Sequence, residues 1–273
     1  MRSYMSMMLI IVVFVVFSAG VSMADLADGL VAYWPMEEGS GDVTADVTGN
    51  GNDGGLLGGT LWETADAMVG IACLNFDGED DLVEIEPFDV VGGGITLAAW
   101  VKPDDFGIND GRIISKAQEW GENDHWWMLS TIDPGSVLRF RLKTNDGQNT
   151  TTLIADSGGL VAGEWAHVAA TWDGSDMRLY KDGAEVGSTA KGGSEVATDP
   201  NLKVAIGSQP SDAFAADPSH IAKNFDGLID DVAVYDRALS QDELQQLAGG
   251  SEPLPTSVSS INKLIATWAQ IRK

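Results

Sequence analysis

From Leu30 onward the chain breaks into short β-forming runs: "LVAYWPM", "ACLNF", "LVEIE", "ITLAAWVK", "GRIISK", "HWWMLST", "VLRFRLK", "TTTLIA", "WAHVAATW", "MRLYK", "KVAIGS" and "LIDDVAVYD". Gly, Asp and Asn fall between them. Many short strands at this spacing predict a sandwich or barrel. In "EWAHVAATW" the alternation of a strand puts Trp165, His167, Ala169 and Thr171 on one face and Ala166, Val168, Ala170 and Trp172 on the other. Both faces carry apolar or aromatic groups, and His167, in mid-strand, reads as a hydrogen-bonded structural residue. Asp182-Gly183 in "YKDGAEV" and Asp77-Gly78 in "FDGEDDLVEI" each sit between strand runs and read as hairpin turns. Helix is scarce. The one good candidate is "SQDELQQLA", where Ser240 can cap the first turn and Glu243 can bond back to it.

Charge narrows the partners. Forty-one acidic residues against 16 basic ones give a formal net charge of −25, a field that repels nucleic acid and anionic membranes. Cations, neutral sugars or basic proteins fit better. Nine Trp and 44% hydrophobic residues supply a sizeable core and argue against disorder.

The N-terminus carries Arg2, an apolar run from Met7 to Phe17, and Ser22-Met23-Ala24. This is the pattern of a signal peptide spanning residues 1–24 and cleaved after Ala24. The apolar run falls short of the ~20 residues that cross a bilayer, so no membrane span is expected after cleavage. The body is expected to be secreted or displayed on the cell surface. Cys73 is the only cysteine, which excludes an intramolecular disulfide, and its place in "IACLNF" reads as a buried, inert thiol. Residues 25–248 show no shift in composition and read as one domain. The segment 249–260, "GGSEPLPTSVSS", reads as a linker. Residues 261–273 form a short basic amphipathic tail, with Ile261, Leu264, Ile265, Trp268 and Ile271 at near-helical spacing. Such a tail suits a surface-anchoring or sorting partner.

"DVTGNGNDG", from Asp46 to Gly54, places oxygen-bearing side chains at Asp46, Thr48, Asn50 and Asn52. By itself this is either a turn, since Asn and Asp beside Gly tolerate left-handed backbone, or a cage for a hard cation. Leu57 stands where an EF-hand needs its bidentate Glu, so the loop is not one.

Five segments occur in order: "LVAYWPMEEGSGDVTADVTGNGNDGGLLG", "LNFDGEDDLVEI", "ITLAAWVKP", "EWAHVAATWDGSDMRLYKDGAEVG" and "FDGLIDDVAVYDRALSQDEL". Together they resemble the laminin G-like jelly-roll family of the concanavalin A-like lectin and glucanase superfamily. The resemblance spans roughly residues 28 to 248 and is specific for fold, weak for function. It implies an all-β architecture, a two-sheet antiparallel β-sandwich with one short C-terminal helix. It also implies a structural calcium, held by Asp46, Asn50 and Asn52 together with Asp230, Asp231 or both. Calcium takes six to eight oxygen ligands, and carbonyls of the Gly-rich loop would complete the set. Strand alternation adds that if Val232 and Val234 face the core, Asp230 shares their face and needs a partner inside.

The superfamily also contains glucanases with a Glu-x-Asp-x-x-Glu strand, and "EDDLVE", Glu79 to Glu84, matches it. A retaining glycosidase needs its two carboxyls about 5–5.5 Å apart on one cleft. Glu79 follows Asp77-Gly78 directly, which makes it a turn residue and weakens the match. No other catalytic motif is present, so the chain is not expected to be an enzyme. "KAQEWGENDHWWMLS" is the most distinctive segment. Trp126 and Trp127 must point to opposite faces, and Trp120, Asn123, Asp124 and His125 surround them with groups that could stack on and bond to a sugar. The sequence therefore predicts a calcium-stabilised binding module for an extracellular carbohydrate or glycoprotein. A non-sugar protein-interaction domain of the same fold is the alternative.

Overall fold

The computed structural model describes residues 26–106, 110–118, 123–132, 136–146, 149–210 and 224–254. The expected signal peptide (1–24) and basic tail (261–273) lie outside these residues, as does Trp120. In chain order the described elements are β1 (Leu30–Trp34), β2 (Val43–Thr44), β3 (Gly54–Leu57), β4 (Leu61–Glu63), β5 (Cys73–Asp77), β6 (Leu82–Ile85), β7 (Ile95–Pro103) and β8 (Arg112–Ala117). There follow β9 (His125–Ile132), β10 (Val137–Leu142), β11 (Thr151–Ile154), β12 (Ala166–Trp172), β13 (Asp176–Lys181), β14 (Ala184–Ala190), β15 (Val204–Ile206), β16 (Asp226–Tyr235) and α1 (Gln241–Ala248).

The strands form two antiparallel sheets packed as a sandwich. The first runs β14-β13-β12-β7-β16-β5-β4, with β1 added on the C-terminal half of β16. The second runs β11-β10-β9-β8-β15-β6-β3-β2. Between them lie Trp34, Phe76, Ile85, Leu97, Trp127, Phe140, Trp172, Val232 and Val234, all fully buried. The strand β12 shows how the sequence writes this layer. Ala166, Val168, Ala170 and Trp172 enter the core between the sheets, while Ala169 turns outward.

The middle of the outward face of the first sheet is buried too, because α1 covers it. Ala98, Ala169 and Ala233 stand side by side on β7, β12 and β16. Their small side chains leave a shallow floor on which Leu244 and Leu247 of α1 pack with Tyr33, Tyr180 and Tyr235. The helix begins as its sequence predicts. Ser240 accepts the N–H of Glu243, and Glu243 Oε2 accepts the N–H of Ser240 at 2.7 Å.

Two sequence expectations change. Asp182-Gly183 does join β13 to β14, with φ of +50° and +73°, as a tight hairpin turn requires. Asp77-Gly78 does not make a hairpin. The strand β5 pairs with β16 and β4 in the first sheet, and β6 pairs with β3 and β15 in the second. The turn carries the chain across the sandwich, because turn residues encode a reversal and not the identity of the neighbouring strand. His167 is structural, but its Nδ1 finds no hydrogen-bond partner. The ring packs edge-on against Trp100, 5.4 Å between centroids, and burial lowers its pKa to about 4. Cys73 is buried and burial pushes its thiol up, as expected of an inert cysteine.

Candidate binding face and cation positions

The Asp46 loop closes the edge of β1 that faces away from β16. Asp46 Oδ1 accepts the N–H of Tyr33 at 3.2 Å, the N–H of Thr48 at 3.0 Å and the Thr48 hydroxyl at 2.7 Å. Its Oδ2 accepts the N–H of Asn52 at 3.2 Å and the Asn52 amide at 2.9 Å. Five donors surround a carboxylate that offers about four lone-pair sites. The Asn50 and Asn52 amides donate to the Val31 carbonyl at 2.9 and 3.3 Å, and Trp34 Nε1 donates to the Asn52 carbonyl at 2.8 Å. Ringed by hydrogen-bond donors, Asp46 organises a turn and has no lone pairs to spare for a cation.

Asp230 and Asp231 lie elsewhere. Asp230 is fully buried, and its Oδ2 accepts the N–H groups of Met68 and Val69, each at 3.0 Å. Its partner inside is therefore backbone, supplied by the turn before β5. Asp231 has φ +50° at the bulge where the register of β16 against β7 shifts, and it accepts the Tyr33 hydroxyl. Burial and the mutual charge raise the pKa of Asp230. Burial raises that of Asp231 to about 7, with Glu252 and Glu37 adding and the Tyr33 hydrogen bond opposing. Glu37 is itself raised to about 7 by burial. Tyr33 separates the two groups: its N–H serves Asp46 and its hydroxyl serves Asp231. Among the described residues Asp46, Asp230 and Asp231, three of the five the resemblance implied as calcium ligands, do not bring their carboxylate oxygens within 4.8 Å of one another.

The aromatic segment divides as alternation requires. Trp127 is fully buried, with Phe88 5.9 Å away, so it is core and not a sugar platform. Trp126 is half-buried, with Lys143 Nζ 4.8 Å from its ring centroid. Asn123 is exposed and accepts the Thr150 N–H on its side chain at 3.1 Å and Lys143 Nζ on its carbonyl at 3.2 Å. The Asp124 carbonyl accepts the Gln118 N–H. His125 is only 2% exposed. It lies against Arg112 and Arg141, each 3.2 Å from its Nε2. Burial, then the charges of Arg112, Arg141 and Arg139, lower its pKa to about 3. The imidazole is thus neutral and locked in place.

Around His125 the sheet carries a cationic cluster that sequence reasoning missed. Arg139 bonds Ser130 Oγ at 3.2 Å and pairs with Asp110, while Arg112 lies 3.9 Å from the same acid. Nε and Nη1 of Arg112 are buried without partners, and burial lowers its pKa to about 10. A signal was present. In "VLRFRLK" Arg139 and Arg141 alternate with Leu138, Phe140 and Leu142, so both point away from the core. The two glutamates of "EDDLVE" are held in different settings. Glu79 sits in the turn, and Glu84 on β6 pairs with Lys203 at 2.8 Å.

Comparison with known proteins follows these features. The family Laminin_G_3, described as concanavalin A-like lectin/glucanases superfamily, matches residues 77–245. Pappalysin-1 of Mus musculus is 26% identical over 191 residues, 65% of this chain and 11% of that protein, so the chain spans a small part of the relative's length. Domain 4 of AbnA, a GH43 extracellular arabinanase from Geobacillus stearothermophilus solved with arabinotriose, superposes with a TM-score of 0.55 at 20% identity. That match covers 80% of this chain and 98% of the other. The ligand-binding domain of botulinum neurotoxin serotype D, solved with N-acetylneuraminic acid, gives a TM-score of 0.57 at 16% identity, covering 82% of this chain and 52% of that one.

Proposed function

The chain belongs to the concanavalin A-like lectin/glucanases superfamily, and from that premise we propose that it is an extracellular, non-catalytic binding module for a carbohydrate or a glycosylated partner. The observation that carries this reading is the half-buried Trp126 at the end of β9, backed by Lys143 and near the cationic Arg141. An aromatic ring beside fixed hydrogen-bond donors suits a sugar, whose C–H faces stack and whose hydroxyls accept. The two similar solved structures that hold saccharides support it. Calcium belongs to this reading as a structural ion that steadies loops, not as a reactant. The place of Glu79 in a turn and the pairing of Glu84 with Lys203 support a module without hydrolytic activity.

A glycan array probed with the full chain tests the proposal. Trp126→Ala and Arg141→Ala are each expected to weaken the recognised glycan by about tenfold or more, equivalent to ~1.4 kcal/mol. Binding that neither substitution alters would refute the assignment of this face. A second reading, a docking domain for protein, draws on exposed Leu57 and Leu61, 44% and 66% accessible at the turn joining β3 to β4. An array with no binding would favour it.

A further inference from the structure

The corner where the chain crosses from β5 to β6 gathers three acids that the sequence had offered in other roles, Asp77 in a hairpin turn and Asp80 and Asp81 within the glucanase-like run. One carboxylate oxygen from each of Asp77, Asp80 and Asp81 lies within 4.8 Å of the others. Asp77 and Asp80 are exposed, whereas Asp81 is 4% accessible. Among the described residues none of the three pairs with a basic group.

Clustered acids alone are ordinary, but Asp81 is not. Its Oδ2 accepts the N–H of Asp77 at 2.9 Å, while its Oδ1 is buried with no partner. A carboxylate oxygen withdrawn from water without a compensating donor or cation is costly. Burial, with the charges of Asp77 and Asp80, raises the pKa of Asp81. Gly59 of the opposing turn packs against this oxygen with φ +143°, and a Cβ on it would stand 3.3 Å from Oδ1. Across the ladder Asp77 faces Asp226, whose pKa burial raises with help from Asp104, Asp105 and Asp77. The corner is thus a focus of negative potential that draws cations from solution.

We propose that Asp77, Asp80 and Asp81 form a calcium site, with the buried Asp81 Oδ1 as the inner ligand and water completing the shell from the exposed side. The donors are oxygen only, which selects a hard cation, and two exposed carboxylates beside a buried one suit the variable coordination of calcium better than the strict octahedron of magnesium. The ion would tie the end of the first sheet to the start of the second. The site does not depend on saccharide recognition, and a failed glycan array would leave it standing.

Calorimetric titration of the full chain with calcium chloride, alongside melting with calcium or chelator, tests it. The expected dissociation constant is roughly 0.1–1 mM, the range of extracellular modules, with a calcium-dependent rise in Tm. Asp80→Asn and Asp81→Asn should each weaken binding about tenfold or more, while Asp46→Asn leaves it unchanged and magnesium binds more weakly. If Asp81→Asn does not fold, Asp80→Asn decides, since its exposed side chain makes no hydrogen bond. No heat and no Tm shift at about 10 mM calcium, or binding that Asp46→Asn abolishes and Asp80→Asn spares, would overturn the assignment.

Discussion

Asp230 offers a test in which two substitutions at one atom-for-atom position should differ in sign as well as size. Its Oδ2, on a fully buried side chain, holds the N–H groups of Met68 and Val69 in a turn that itself lies at the surface. Asp230→Ala orphans both donors, each costing about 1–3 kcal/mol, so about 2–6 kcal/mol together before the relief of a buried charge is subtracted. Asp230→Asn keeps an acceptor in place and mimics the protonated acid. The pH dependence sharpens the contrast. Burial raises the pKa of Asp230, and that of Asp231 to about 7, above the ordinary 3.8. Above 3.8 the folded chain binds more protons than the unfolded chain, so the stability these groups supply is full below pH 3.8 and is lost as pH rises, for Asp231 through about 7 and for Asp230 through its own raised value. Each such carboxyl contributes a slope of up to about 1.4 kcal/mol per pH unit. Urea denaturation between pH 5 and 8 should therefore show Asp230→Asn with a flatter profile than the parent and near-parental stability at pH 5. Asp230→Ala should lie below both throughout. An Ala variant no weaker than Asn, or an unchanged slope in Asn, would refute the argument.

Two further outcomes follow from the packing. Ser240→Ala removes the acceptor for the Glu243 N–H and should cost about 1 kcal/mol, read from the urea midpoint. Trp127→Ala empties a fully buried core position and should cost about 3–5 kcal/mol, whereas Trp126→Ala, needed for the glycan test, removes a half-buried ring at the margin of the core and should cost less.

Local chemistry was readable wherever a few neighbouring residues suffice. The strand runs, the Ser240 cap and the Asp182-Gly183 hairpin are each specified within about ten residues, by alternation, by one side chain reaching a nearby N–H, and by left-handed backbone at two positions. The opposite directions of Trp126 and Trp127 are of the same kind. Long-range pairing decided the rest. Asp46 carries the side chain of a ligand, but the Tyr33 N–H, 13 residues away, helps to saturate it. Asp230 and Asp231 are adjacent in sequence, yet a bulge in β16 sends one to the Met68 turn and the other to Tyr33. The turn at Asp77-Gly78 has the residues of a hairpin and joins two sheets instead, which is what brings Asp77, Asp80 and Asp81 around an unpartnered oxygen. Alternation could place Arg139 and Arg141 outside the core, but only the alignment of β8, β9 and β10 sets Arg112 and His125 beside them. Which strand lies next to which is fixed by burial summed over the whole sandwich, a quantity that no short stretch of sequence contains.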